Sequence, residues 1–152
     1  MALTKIGKEG ITGVSNASNA TFLTVDSSEQ AVIKSEGGAV TTSVQQGLAK
    51  CWISLNGTGT IAIRDSFNVS GTTDQAVGLT DVEIGSNMAS AEFSLSGASG
   101  TFIGNSDNVG LGFSTEAGAP TAGTYRTITR ERNDDNNRDV TYAFSQVFGD
   151  LA

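Results

Sequence analysis

Histidine is absent from this chain, and cysteine and proline each occur once. Without histidine, the side chain that most often moves protons near neutral pH, and most often ligates metals, is missing. The lone cysteine, Cys51, can build neither an internal disulfide nor a thiolate metal cluster, and is expected as a small buried hydrophobe. Charge is scarce as well: Asp, Glu, Lys and Arg make up 16% of the chain, where soluble domains average roughly 25%. Acidic residues outnumber basic ones 16 to 9, a net charge of −7, which argues against a phosphate-tracking surface and so against nucleic-acid binding. No apolar run approaches the length that crosses a bilayer, so membrane insertion is not expected. Lys5 and Lys8 stand where a secretory leader places its basic residues, yet no apolar stretch of about 7–15 residues follows them. The chain is therefore expected to fold in a cytoplasm.

What remains is a mixture of Gly, Ser, Thr and Asn broken by short runs of Val, Ile, Phe and Thr. Ser and Asn compete with helical backbone hydrogen bonds and Gly loses much entropy in a helix, so this composition favours strands and turns. Candidate strands cover residues 21–25, 31–34, 39–44, 50–55, 60–64, 78–84, 91–95, 101–103, 109–113, 125–132 and 140–148, at the spacing of a sandwich or barrel. A helix is possible at residues 42–49, where Val44 and Leu48 are four apart. The clearest local signal is Asn56-Gly57, which tolerates positive φ and reverses the chain between residues 50–55 and 60–64. Strand alternation then puts Trp52 on one face with Ile61 and Ile63, and Cys51, Ile53 and Leu55 on the other with Ala62. Both faces are apolar, so the hairpin is expected to be covered twice, by a second sheet and by a further sheet or subunit. Residues 141–149, TYAFSQVFG, carry no charge or proline and must lie centrally in a sheet or under a neighbouring chain. The expected core is Trp52, Ile53, Leu55, Ile61 and Ile63, with Phe144, Val147 and Phe148 closing sheet or subunit contacts.

Residues 49–52 (AKCW), 56–60 (NGTGT) and 62–70 (AIRDSFNVS) together resemble a block found in tail fibres and small virion structural proteins of marine tailed bacteriophages. The match spans roughly 25 contiguous residues, far more than a short motif. Beyond Gly71 the correspondence weakens, because Gln75-Ala76-Val77 stands where the family carries a Gly-rich turn. The resemblance implies a tail-fibre or fibre-tip subunit that mediates host attachment; a head decoration protein or capsid fibre is the alternative, and a glycan-cleaving spike a third reading. The fold it points to is all-β: an extended N-terminal attachment arm at residues 1–45 and a jelly-roll-like β-sandwich head at residues 46–152, intertwined as a homotrimer. It also implies location in the virion after assembly in the host cytoplasm, other virion proteins held through the arm, and a host receptor, a glycan among the candidates.

Candidate chemistry is sparse. Asp81 and Glu83 share a strand face and are the pair to consider for carboxylate catalysis, but acids at that spacing more often line a wet face. The chain is read as a non-enzyme. The densest polar cluster is residues 133–137; an EF-hand frame starting at Asp135 fails because Val140 replaces the required Gly and Gln146 the bidentate Glu. No metal or cofactor is expected, and Asn and Asp are also simply the residues hairpin turns prefer. Asp134, Asp135, Asn136, Asn137 and Tyr142 are the candidate receptor contacts. Arg126, Arg130, Arg132 and Arg138 flank that loop and are expected to be ion-paired with Asp134, Asp135 and Asp139 rather than to bind nucleic acid.

Overall fold

In the computed structural model, the residues described are 23–25, 31–34, 41–100, 109–116, 118–131 and 136–152. Asp134, Asp135, Arg132, the expected strand at 101–103 and the first 20 residues of the expected arm lie outside them. The chain divides into two compact units, Met1–Val44 and Gln45–Ala152. In the first, β1 (Leu23–Val25), β2 (Ala31–Lys34) and β3 (Thr41–Ser43) pair antiparallel in that order. The expected helix shrinks to one turn, α1 (Val44–Gly47), which has no acidic residue to stabilise its start and ends at a glycine.

The second unit is a β-sandwich. One four-stranded sheet has the order β6 (Val69–Ala76), β7 (Leu79–Ile84), β10 (Thr124–Glu131), β9 (Val109–Phe113). The other runs β5 (Ala62–Phe67), β4 (Cys51–Asn56), β11 (Tyr142–Phe148), β8 (Ser94–Gly100), and all neighbours in both sheets are antiparallel. The central strands β4, β10 and β11 alternate strictly, and β7 does so from Thr80 on. Cys51, Ile53 and Leu55 of β4, Ala143, Ser145 and Val147 of β11, Val82 and Ile84 of β7, and Tyr125, Thr127 and Thr129 of β10 all point inward and are buried. Fully burying an Ile, Leu or Val is worth about 1.5–3 kcal/mol each, so these rows carry the sandwich. The hydroxyls among them are hydrogen-bonded, and the one buried carboxylate among the described residues is compensated by an ion pair. Tyr125 Oη and Ser145 Oγ lie 2.9 Å apart, Thr129 Oγ1 donates to the Arg138 carbonyl at 2.6 Å, and the Glu131 carboxylate is ion-paired with Arg138.

The chain passes from one sheet to the other at Asn68. This residue joins β5 to β6 with φ 55°, in the left-handed region, and its side chain binds both flanks of the corner. Its Nδ2 donates to the carbonyls of Lys50 (2.9 Å) and Ser86 (3.1 Å), and its Oδ1 accepts from the Ser86 amide (2.6 Å).

The hairpin register differs from the one expected. Trp52 lies opposite Phe67, Ser54 opposite Asp65, and then Leu55 opposite Ile63, so Arg64 is the extra residue of a β-bulge. That single insertion moves Ile63 to the face of Leu55 and removes it from Trp52. Trp52, which alternates with the buried Cys51 and Ile53, is half-buried on the outer face rather than in the core, and Ile63, on an edge strand, is 40% exposed. Phe144 is likewise outside, 44% exposed, because it alternates with the buried Ala143 and Ser145. It therefore cannot share a face with Val147, which is buried; Phe148 is half-buried at the strand end, and Ile61 packs against the core edge. Strand β11 sits between β4 and β8, so the uncharged 141–149 segment is central in its sheet.

Among the described strands the outermost ones are unlike one another, and β8 and β9 lie against each other, with Ser99 Oγ donating to the Val109 carbonyl at 2.8 Å. Strand β5 carries Arg64, Asp65 and the bulge, and β6 carries Asp74 and two register shifts. On the opposite side, β8 (SLSGASG) and β9 (VGLGF) carry no charge at all. Charges and bulges are what keep an edge from pairing with another chain, and only one side of the sandwich has them.

Candidate functional site

The outer face of the β5-β4-β11-β8 sheet is built from residues that alternation forces away from the core. Cross-strand pairing sets them in rows: Phe67, Trp52, Gln146 and Ser96 in one, Asp65, Ser54, Phe144 and Ala98 in the next, and Tyr142 beside Gly100 beyond it. Large rings on β5, β4 and β11 therefore border small residues on β8. The step between them is a trough of about 670 Å³ whose side-chain lining includes Trp52, Ser54, Asp65, Ser96, Ala98, Phe144 and Gln146. Its volume falls within the roughly 300–1,000 Å³ of small-molecule sites. Gly97 is obligatory under it: a Cβ there would overlap the Phe144 carbonyl oxygen and come within 2.8 Å of Leu111.

Rings and polar groups alternate along this face. Phe67 is 54% exposed, and Tyr142, at 39%, stacks on Phe144 with centroids 6.2 Å apart and planes 11° from parallel. The Arg64 guanidinium lies 4.5 Å above the Tyr142 ring and donates to the Thr141 carbonyl at 3.1 Å, which fixes the end of the row. Asp65 Oδ1 accepts from the Ser66 amide at 2.8 Å, and Gln146 Nε2 donates to Ser96 Oγ at 3.1 Å. Asp65 is the only charged residue of the lining.

The opposite outer face, on the β6-β7-β10-β9 sheet, has another character. Arg126 holds Asp81 through two bonds, Nε to Oδ1 at 2.5 Å and Nη2 to Oδ2 at 2.8 Å, and Gln75 adds a third at 2.8 Å. These bonds, those of Arg126 first, keep the Asp81 carboxyl below the usual carboxylate range. Glu83 is exposed beside Thr73. This pair lines a wet face, as the spacing suggested, and Asp81 is an ion-paired acceptor rather than a proton donor near neutral pH.

Of the predicted receptor cluster, Asn136, Asn137 and Tyr142 are described. Asn136 is exposed, whereas Asn137 accepts from Arg130 Nε at 3.1 Å and Asp139 accepts from the Gly78 amide at 2.7 Å, so the described end of this loop clamps neighbouring turns. Tyr142 stands apart from these contacts, on the aromatic face. Three of the four arginines are described, and each is paired with an acid outside that loop: Arg126 with Asp81, Arg130 with Glu116 at 3.4 Å, and Arg138 with Glu131; Arg132, Asp134 and Asp135 lie outside the described residues. Among the described residues no group of three or more His, Cys, Asp or Glu converges as a metal site. Phe67, Gln146 and Ser96 were not foreseen as site residues; the available signal was the apolar character of both hairpin faces, which left one face without a partner sheet.

No protein-family profile matches this chain, and no curated protein does. Among solved structures the chain is similar to the phiAB6 tailspike, determined in complex with three-repeated oligosaccharides of Acinetobacter baumannii surface polysaccharide. The TM-score is 0.51 at 11% sequence identity, and the likeness covers 92% of this chain and 30% of that one. The chain thus spans about a third of the tailspike's length, and at this identity the likeness concerns the fold alone.

Proposed function

We propose that this protein is a bacteriophage virion structural protein, a tail-fibre or fibre-tip subunit that attaches the particle to its host, and that it is not an enzyme. The observation that carries the reading is the aromatic trough on a rigid sheet face that no described strand covers. Exposed contiguous rings on a folded domain mark interaction surfaces. Two further points support it: the fold likeness to a tailspike, and the sequence block at residues 49–70 that resembles marine phage fibre proteins. The subunit acts as a homotrimer whose contacts use the uncharged β8 and β9 edges, and the N-terminal unit holds the other virion proteins. Antibody-labelled electron microscopy of particles tests the placement: label at the tail tip is the expected result, and label over the head would favour the decoration reading instead. Purified protein should also compete with particles for adsorption. Undiminished adsorption at saturating protein would refute the attachment role.

A further inference from the structure

We propose that the trough on the β5-β4-β11-β8 face is a binding site for a neutral glycan, a sugar chain bearing hydroxyls but no sulfate, phosphate or carboxylate. This deepens the attachment reading and rests on it. Three features of the trough select this ligand. Rings come first: the C–H faces of a pyranose are apolar and pack on aromatic surfaces, which Trp52 and Phe144 supply as diagonal neighbours on adjacent strands. Next are the polar groups between the rings. Asp65 and Gln146 present a planar carboxylate and a planar amide, each already oriented by one bond, to Ser66 and to Ser96. Groups fixed in advance lose little entropy on binding, and their remaining lone pairs suit the paired hydroxyls of a sugar.

Charge decides among the other occupants. The one formal charge of the lining is the Asp65 carboxylate, and the whole chain carries −7. An acidic glycan would bring like charge against it, and the Arg64 guanidinium at the end of the row is outside the lining and already engaged by the Tyr142 ring and the Thr141 carbonyl. A second copy of this apolar face would bury the Asp65 charge and the remaining polar capacity of the Gln146 amide against rings, each with only its one existing bond, which is unfavourable. Sugar hydroxyls satisfy both groups while the ring faces cover the aromatics.

Trp52 is the only tryptophan in the chain and lines the trough, so its fluorescence reports occupancy directly. The full-length protein is screened on an array of neutral, amino and acidic oligosaccharides, and array hits are titrated in solution against Trp52 emission. Saturable changes confined to neutral glycans are expected. Phe144→Ala and Gln146→Ala should each weaken binding by about tenfold or more, while Asp74→Ala, on the far edge strand β6, leaves it unchanged; near-ultraviolet dichroism verifies that each variant is folded. Hits restricted to acidic glycans, no neutral hit, or binding that survives both trough variants would overturn the proposal. So would concentration-dependent shielding of Trp52 from acrylamide without sugar, which would mean a second copy covers the face. Labelling of host cells by fluorescent protein separates the two levels: labelled cells without a neutral hit would overturn the glycan inference and leave attachment standing, and unlabelled cells would overturn both.

Discussion

Asn68 offers a test of the corner on which the sandwich is hung. Two substitutions at this position, Asn68→Gly and Asn68→Ala, remove the same three side-chain bonds, to Lys50 and twice to Ser86. At about 0.5–1.5 kcal/mol per bond, either variant should lose about 2–4 kcal/mol. They differ in the backbone. At φ 55° an alanine incurs the left-handed penalty of about 1–2 kcal/mol, which glycine escapes. Glycine in turn loses about 0.5–1 kcal/mol more through its freer unfolded chain. The glycine variant should therefore be the more stable of the two by about 0.5–1 kcal/mol, the reverse of the order at an ordinary strand position. Urea unfolding followed by Trp52 fluorescence measures this. With a slope near 2 kcal/mol/M, the midpoints should separate by about 0.25–0.5 M at unchanged slope. An alanine variant as stable as the glycine variant, or more so, would refute the corner geometry.

Other outcomes follow from particular contacts. Gly78, at φ 68° in the β6–β7 turn, has the Thr129 carbonyl oxygen 2.5 Å and the Arg138 amide 2.8 Å from where a Cβ would sit, so Gly78→Ala should cost at least about 2 kcal/mol in urea unfolding. Burial pushes the Cys51 thiol from 9.0 up to about 11, so a thiol reagent at pH 8 should react only after denaturation; ready reaction of native protein would contradict the buried position. Tyr125 is also raised by burial, and both groups thus stabilise the fold fully below about pH 9 and less as pH climbs through their folded values, which thermal melts at alkaline pH should show as a falling midpoint. Asp81 is shifted the other way: its contribution is complete above the unfolded carboxylate value of about 3.9 and is lost as pH falls through the lower folded one, so Asp81→Asn should destabilise at pH 7 and flatten the acid limb of the stability curve. Phe144→Thr should cost no more than about 1 kcal/mol, chiefly its stack on Tyr142, while Val147→Ala, three residues on but inside, costs about 1.5–3 kcal/mol; equal losses would place Phe144 in the core.

The all-β architecture was legible because strands with one buried face advertise it. Strands β2 and β9 fall on the expected residues, and β7, β10 and β11 lie within a few residues of theirs. Strand β6 was missed. Its sequence, VSGTTDQA, has no apolar alternation, since an edge strand with two irregular pairings gains little from burial on either face. Strand β8 was misplaced because SLSGASG reads as turn composition, and its pairing to β11 depends on a close backbone approach at Gly97 that leaves no mark in hydrophobic pattern. The site suffered from the same blindness at finer scale. One bulge at Arg64 took Ile63 off the face of Trp52, and no propensity rule locates a bulge inside an otherwise regular run.

Strand β11 shows why the outer rings reflect more than incomplete folding. It points Ala143, Ser145 and Val147 inward and Tyr142, Phe144 and Gln146 outward, so its two largest apolar faces are on the wet side. A one-residue slip would exchange the two sets, and transfer of two rings out of water would favour it. What opposes the slip is the fit of the interior: Ser145 is the hydrogen-bond partner of Tyr125 Oη at 2.9 Å, Val147 is fully enclosed, and the β8 backbone lies too close at Gly97 for larger inward groups. The core thus takes small side chains from this strand and leaves the rings outside, held in a row by Ser54 and Ala98 on either flank of Phe144. Because that row contributes little to the fold, its side chains can change with little effect on stability. The proposed glycan site would thus lie on a sheet face whose backbone is set by the sandwich rather than on loops.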